Sequence, residues 1–252
     1  MAHIVSTGRP GRPKIVNLLC GNCRKGVGAG GGFRVGAAKG KRVPRAVREQ
    51  QMMDAAVRTF ARRGYRSASM DEIAELVGVS KPLVYLYLNS KEDLFGAVVR
   101  RESAALVAAV TAAVEKGAAA DRQLWSGLTG FFAHTAEHPD GWAVLHQQAR
   151  SQGEPFAAEV AAMRAEIVRF VTDLIAAAAK EAGCAGELAD REVAGLAHAL
   201  VGAAESLADW VNVSVADGIS PPGAAREAAT TLMNFAWSGL GPRMHGERWT
   251  PA

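Results

Sequence analysis

The 252-residue sequence predicts an all-α protein, and three observations carry that expectation. Alanine is abundant and aromatic residues make up only 6% of the chain, a composition that favours helix over sheet. From residue 44 onward apolar residues recur at spacings of three and four, the period of one helix face. Serines followed by acidic residues, and glycines after apolar runs, punctuate that pattern where helices would start and stop.

Residues 1–43 stand outside the pattern. They are rich in Gly, Arg and Lys, with "GAGGGFRVGAAKGKR" as the clearest low-complexity piece. Such a composition buries too little apolar surface to offset its ordering entropy, so a disordered basic tail is expected. "GRPGRPK", Gly8 to Lys14, resembles the Arg-Gly-Arg-Pro core of minor-groove AT-hook arms, with Pro10 interrupting the core. A solvated basic tail is the alternative. "CGNC" places Cys20 and Cys23 at a spacing used by zinc and redox sites. A zinc site needs four ligands and no second pair follows nearby. The Gly-rich flanks do not supply the strand and helix of a thioredoxin-like site, so the pair reads as coincidence. Cys184 completes the cysteines, and neither metal nor cofactor is expected.

Helix by helix, the pattern opens near Pro44. Met53, Val57, Phe60 and Ala61 form the first apolar face, and Gly64 stops it. Ser69 is placed to cap the second helix, with Glu72 three residues on as a capping box. Ile73, Ala74 and Val77 are its buried face and Gly78 its end. Ser80 is placed to cap a third helix, with Pro82 in the first turn, where proline costs least. Ser90 caps a fourth, whose positive first turn holds Glu92 and Asp93 and which continues through Leu94, Val98 and Leu106 towards Lys116.

The third helix carries the functional signal. At 100° per residue Val84 and Leu88 share one stripe and can pack on Ile73 and Val77 of the helix before. The other stripes hold Lys81 with Tyr85, Pro82 with Leu86, and Leu83 with Tyr87. One buried stripe and three exposed ones make a poor solvent face and a good contact face. Two helices joined by a short Gly-containing turn, the second offering such a face, form a helix-turn-helix. Tyrosine rings can pack on thymine methyls and sugars while their hydroxyls donate to phosphates. Lys91, beside the free N–H groups that open the next helix, suits another phosphate. The candidate DNA contacts are Ser69, Ser80, Lys81, Pro82, Leu83, Tyr85, Leu86, Tyr87 and Lys91.

On these residues "SASMDEIAELVGVSKPLVYLYLNSKEDLFGAVV" resembles the N-terminal DNA-binding domain of the TetR family of one-component transcriptional regulators, from about Pro44 to Arg101. The motifs are Ile73-Ala74, Gly78-Val79-Ser80, the Tyr85 and Tyr87 pair, and Ser90-Lys91-Glu92 with Leu94. Many members have Gly-Thr where Pro82-Leu83 stands, so a phosphate-reaching hydroxyl is missing at Leu83; many have Phe where Leu88 stands. The resemblance implies a helix-turn-helix domain over 44–101 and a ligand-binding and dimerisation domain over 102–252. It also implies a homodimer on a near-palindromic double-stranded operator, and a small-molecule effector.

The second half fits that expectation. Phe156, Val160, Met163, Ile167, Phe170 and Leu174 form one apolar stripe. Val193, Leu196, Leu200, Leu207 and Trp210 form another, and Leu232, Phe235 and Ala236 a third. By resemblance the last two long helices pair with their copies in the dimer. Candidate liners of an effector pocket are Trp125, Phe131, Phe132, Trp142, His146, Phe156, Met163 and Phe170, with ordinary core packing as the alternative for each. His134 and His138 read as a solvent-facing pair near a helix end. His198, Gly202, Glu205 and Asp209 share one stripe opposite the leucines, facing either a polar ligand group or water.

Charge divides the chain the same way. Residues 1–101 hold nineteen Lys and Arg against seven Asp and Glu, a net of +12, and the remainder ten against eighteen, a net of −8. A basic half joined to an acidic one is the pattern of a polyanion-binding module with a second function attached. No apolar run reaches the length of a membrane span and "IVNLL" is too short for a signal-peptide core, so a cytoplasmic protein is expected. No activated nucleophile with a base, phosphate loop or complete metal set points to an enzyme. The expected function is DNA-binding regulation, as a repressor released by a largely hydrophobic effector. The alternatives are an activator and a ligand-independent architectural protein.

Overall fold

A computed structural model describes residues 44–181 and 190–244, the side chains as far as Trp237. The basic tail, Cys20, Cys23 and Cys184 lie outside the described residues. Those residues form helices and turns, with no strand among them. The first four helices are α1 (Arg45–Ser67), α2 (Met70–Val77), α3 (Lys81–Leu88) and α4 (Lys91–Ala113). α5 (Ala120–Glu137) follows. α6 spans 139–152 as an α-helical turn Pro139–Ala143, a π-helical turn Val144–Ala149 and a last turn Arg150–Gln152. α7 (Phe156–Glu181), α8 (Asp190–Ala216) and α9 (Pro221–Met244) complete the bundle.

Local chemistry sets the boundaries. Gly64 breaks α1 at φ +75°, ψ 160°, a region almost closed to residues with a Cβ. Ser69 caps α2 by accepting the Asp71 N–H at 3.1 Å. The expected capping box does not close, because Glu72 turns to Arg63 at 3.3 Å instead. Gly78 ends α2 in the left-handed conformation at φ +69°, its N–H bonded back to α2 carbonyls. Ser80 occupies the cap position of α3, but its side chain makes no capping bond. Ser90 does cap α4, accepting the Asp93 N–H at 3.0 Å.

Phe60 of α1, Ile73 of α2 and Val84 of α3 are buried at the centre of the first three helices, and α4 closes that core with Leu94, Phe95 and Val98. α4 then runs through residue 101 without a break and packs on α5 and α7, so one rigid element belongs to both halves. Arg101 braces it, bonding Asp54 of α1 and its own neighbour Glu102, both at 2.8 Å.

On the last two helices the predicted stripes divide between buried and exposed members. The face of α8 buried within this chain is rich in small residues, including Ala197, Ala204 and Ala208 along with Val201 and Val211. Trp210 is 44% exposed and Phe235 of α9 is 75% exposed. Val193 and Leu200 of the one stripe and Leu232 and Ala236 of the other are buried. Bulky residues are left on the outside of a tightly packed, alanine-lined pair of helices, together with Val213 and Trp237.

Candidate DNA interface and effector cavity

α3 buries Val84 and Leu88 against α2 and α4. Leu86 is 73% and Tyr85 41% exposed, and Lys81, Pro82 and Ser80 are also exposed. Among the described residues neither the Tyr85 nor the Tyr87 hydroxyl has a hydrogen-bond partner. Leu83 and Tyr87 differ from the expected full exposure: both are half-buried against the core. The Arg45 guanidinium lies 5.0 Å above the Tyr87 ring, which steadies that ring at the start of α1.

Both lysines of the expected interface are already engaged. Lys81 Nζ meets Asp71 Oδ2 at 2.8 Å, and that bond holds the ammonium charged above the usual lysine range. Lys91 was expected beside the free N–H groups of α4. Instead it reaches back to α1, donating to the Arg66 carbonyl at 2.9 Å and sitting 4.9 Å from the centre of the Tyr65 ring. A helix-end carbonyl and an aromatic face both attract an ammonium. The acidic Glu92 and Asp93 already answer the positive end of α4. Ser69 is half-buried as the N-cap of α2, at the end of that helix opposite the α2–α3 turn.

A second candidate site lies in the bundle. A cavity of about 50 Å³ is walled by α4, α5, α6, α7 and α8. Of the expected liners, Phe131, Trp142, Met163 and Phe170 surround it. The other four do not. Phe132 is fully buried behind Phe131, and Trp125 is half-buried on α5 without reaching the cavity wall. Phe156 packs edge-on to Phe95 with ring centres 4.8 Å apart and also meets Tyr65, so it joins the two halves. His146 stacks on Trp142 at 4.8 Å and pairs with Asp209 at 3.2 Å, beside the cavity rather than in it.

Leu106 and Val110 of α4, Ile167 and Val171 of α7, and the pair Arg164 and Glu205 were not among the expected liners. Glu205 was readable on its polar stripe with His198 and Asp209. Arg164 also had a signal: it interrupts an apolar row of Val160, Ile167 and Val171. Glu205 is held by Arg150 at 2.9 Å and Arg164 at 3.0 Å, and Trp142 Nε1 donates to Asp209 at 2.7 Å.

A short helix presenting an exposed polar and aromatic face after a glycine turn, carried on a bundle with an apolar cavity, defines a helix-turn-helix DNA-binding regulator. Residues 52–98 match the bacterial regulatory proteins of the tetR family, and residues 120–239 match the tetracyclin repressor-like C-terminal domain. The chain is 30% identical to the HTH-type transcriptional activator FasR of Mycolicibacterium smegmatis over 81% of its own length and 88% of that protein's. A TetR-like transcriptional regulator from Rhodococcus sp. RHA1 superposes with a TM-score of 0.67 at 37% identity, over 79% of this chain and 99% of that one. The regulator FadR from Bacillus subtilis, solved in complex with stearoyl-CoA, shares the fold at 17% identity, with a TM-score of 0.58 over 79% and 99% of the two chains. The chain belongs to the TetR family of transcriptional regulators, a non-enzymatic family whose members bind DNA operators and dimerise. No helix among the described residues is long and apolar enough to cross a membrane.

Proposed function

We propose that the protein is a homodimeric regulator whose two α3 helices read a near-palindromic operator, and whose grip on that operator is relieved by a small, largely hydrophobic effector. The exposed face of α3 is the observation that carries the DNA reading. Lys81 and Pro82 meet base edges, and Tyr85 and Leu86 pack on thymine methyls and sugars. Tyr87, Lys91, Ser69 and Ser80 hold phosphates, while Leu83 adds packing where a hydroxyl would otherwise donate. Lys81 and Lys91 exchange their internal partners for DNA on binding. The exposed Trp210, Val213, Phe235 and Trp237 are the surface a second copy covers.

The cavity supports the effector reading and supplies a mechanism. Ligand pockets usually measure ~300–1,000 Å³, so an effector enters a space of about 50 Å³ only by parting its walls. Two of those wall residues, Leu106 and Val110, belong to α4, which begins at Lys91 beside the recognition helix. A ligand favouring the parted form shifts the protein towards wrongly spaced recognition helices and weakens operator binding by its difference in affinity for the two forms. The apolar walls suit a long-chain acyl compound, and stearoyl-CoA is the first compound to test.

A second reading is favoured by one observation: the relative FasR is named an activator. The same fold activates when its operator lies where the bound dimer assists polymerase. Genome-wide capture of bound DNA, followed by footprinting, tests all of this. A palindromic site overlapping a promoter supports repression, and one upstream of it supports activation. Binding with little sequence preference and a steep salt slope points to the architectural alternative.

A further inference from the structure

The cavity lining is apolar except for Arg164 of α7 and Glu205 of α8. There a single oxygen, Glu205 Oε1, receives two guanidinium groups: Arg164 Nε at 3.0 Å and Arg150 Nη2 at 2.9 Å. Arg164 Nη1 also lies 3.3 Å from His198 Nδ1. An arginine only donates, so the histidine nitrogen is the acceptor. The next carboxylate along α8, Asp209, is already taken by Trp142 Nε1 and His146 Nδ1. Two guanidiniums bring about ten N–H donors, and few of them are used in these bonds. This part of the cavity wall therefore holds more N–H donors than the acceptors facing them use. Glu205 is the least exposed member, its side chain 14% accessible against 37% for Arg150 and 27% for Arg164.

We propose that Arg164 and Arg150 form a binding site for an oxyanion head group on the effector, and that Glu205 is an internal carboxylate which the ligand displaces. This rests on reading the cavity as the effector site, and it gives that ligand a chemical class: an amphiphile with an apolar tail and a carboxylate or phosphate head. The lining of α7 runs from Met163 to Leu174, ~16 Å at 1.5 Å per residue, so the site is elongated as such a tail requires. A planar carboxylate matches the guanidinium fork as Glu205 does. A cationic head would face two guanidiniums in exchange for the one carboxylate. Displacement also releases Arg150 from α8, and Arg150 directly follows the π-helical turn of α6.

Calorimetric titration of the full-length protein tests the proposal. The probes are dodecanoate, dodecyl phosphate, dodecanol and dodecylamine, each kept below its aggregation concentration. Dodecanoate or dodecyl phosphate should bind about tenfold or more tighter than dodecanol, and the stronger of the two identifies the head. Arg164→Gln should abolish that preference while dodecanol binding persists. Glu205→Gln should tighten binding of the anionic probe, because it removes the internal competitor. Equal binding of dodecanoate and dodecanol, or preference for dodecylamine, overturns the head-group site and leaves the apolar cavity reading intact. No binding by any of the four removes both. If thermal melting shows Arg164→Gln unfolded, the response of Glu205→Gln decides: unchanged or weakened anion binding overturns the proposal.

Discussion

The backbone N–H of Tyr65 donates to the side-chain oxygen of Gln148, 3.3 Å away, across the joint between α1 and the π-helical turn of α6. The bond exists because Gly64 breaks α1 just before it, and the same Gln148 oxygen lies 3.1 Å from where a Cβ on Gly64 would stand. Gln148→Ala should cost ~1 kcal/mol of stability, the typical worth of one hydrogen bond. It should reduce effector-driven release of the operator more than it changes operator affinity without effector. Melting curves and anisotropy titrations, with and without effector, check both.

Lys81 should discriminate bases, and Asp71 should restrain it. Lys81→Ala is expected to lose ~1–3 kcal/mol of preference at one base position per half-site. Asp71→Asn frees the lysine and should tighten operator binding. Titration against operators varied one base pair at a time separates the two effects. Equal weakening on every sequence would make Lys81 a phosphate contact.

Gly127 lies inside α5 on the cavity wall. A Cβ there would meet Val114 Cγ2 at 3.5 Å and Phe170 Cε1 at 4.0 Å, ordinary contact distances. Gly127→Ala should therefore stabilise the fold by ~0.4–1 kcal/mol while narrowing the cavity. A higher Tm combined with weaker effector response is the expected pair of results.

Phe235 is exposed in the single chain, so its replacement should spare the fold. Phe235→Lys places charge on the surface proposed for contact with a second copy. It should shift sedimentation from dimer towards monomer at unchanged helicity, and should weaken binding to a full palindrome more than to a half-site.

Burial, and then the His138 ring at 4.6 Å, hold His134 below the ordinary imidazole value of 6.5, with Glu102 and Glu137 opposing less strongly. The folded state thus takes up this proton at lower pH than the unfolded chain. Its contribution is fully present above 6.5 and is lost as the pH falls from there through the folded value. The Tm of the natural protein should drop more between about pH 7.5 and about pH 5.5 than that of His134→Gln. Parallel curves would assign the loss to other groups.

Much of this was legible in the sequence, because short-range chemistry wrote it there. Gly64, Gly78 and Ser90 mark real helix ends, and the period of α3 separates Val84 and Leu88 from the exposed Tyr85 and Leu86. What was not legible depends on partners distant in sequence. Lys91 folds back on Tyr65, Glu72 prefers Arg63 to its own cap, and Phe156 serves the joint between the halves instead of the cavity. Hydrophobic periodicity also cannot tell an inner face from an outer one. That is why periodicity alone does not separate the buried Val193, Leu200 and Leu232 from the exposed Trp210 and Phe235 on the same stripes.

The unbroken run of α4 gives the molecule a gear ratio. From Leu106 at the cavity to Lys91 is fifteen residues, an arm of ~22 Å at 1.5 Å per residue. A tilt of ~5° about the cavity end swings the other end by ~2 Å. Two half-sites amount to two such swings, to be compared with a base-pair rise of ~3.4 Å. In the proposed mechanism a shift of ~0.5 Å at Val110, ~6 Å beyond that pivot, becomes the ~2 Å swing at Lys91 beside α3.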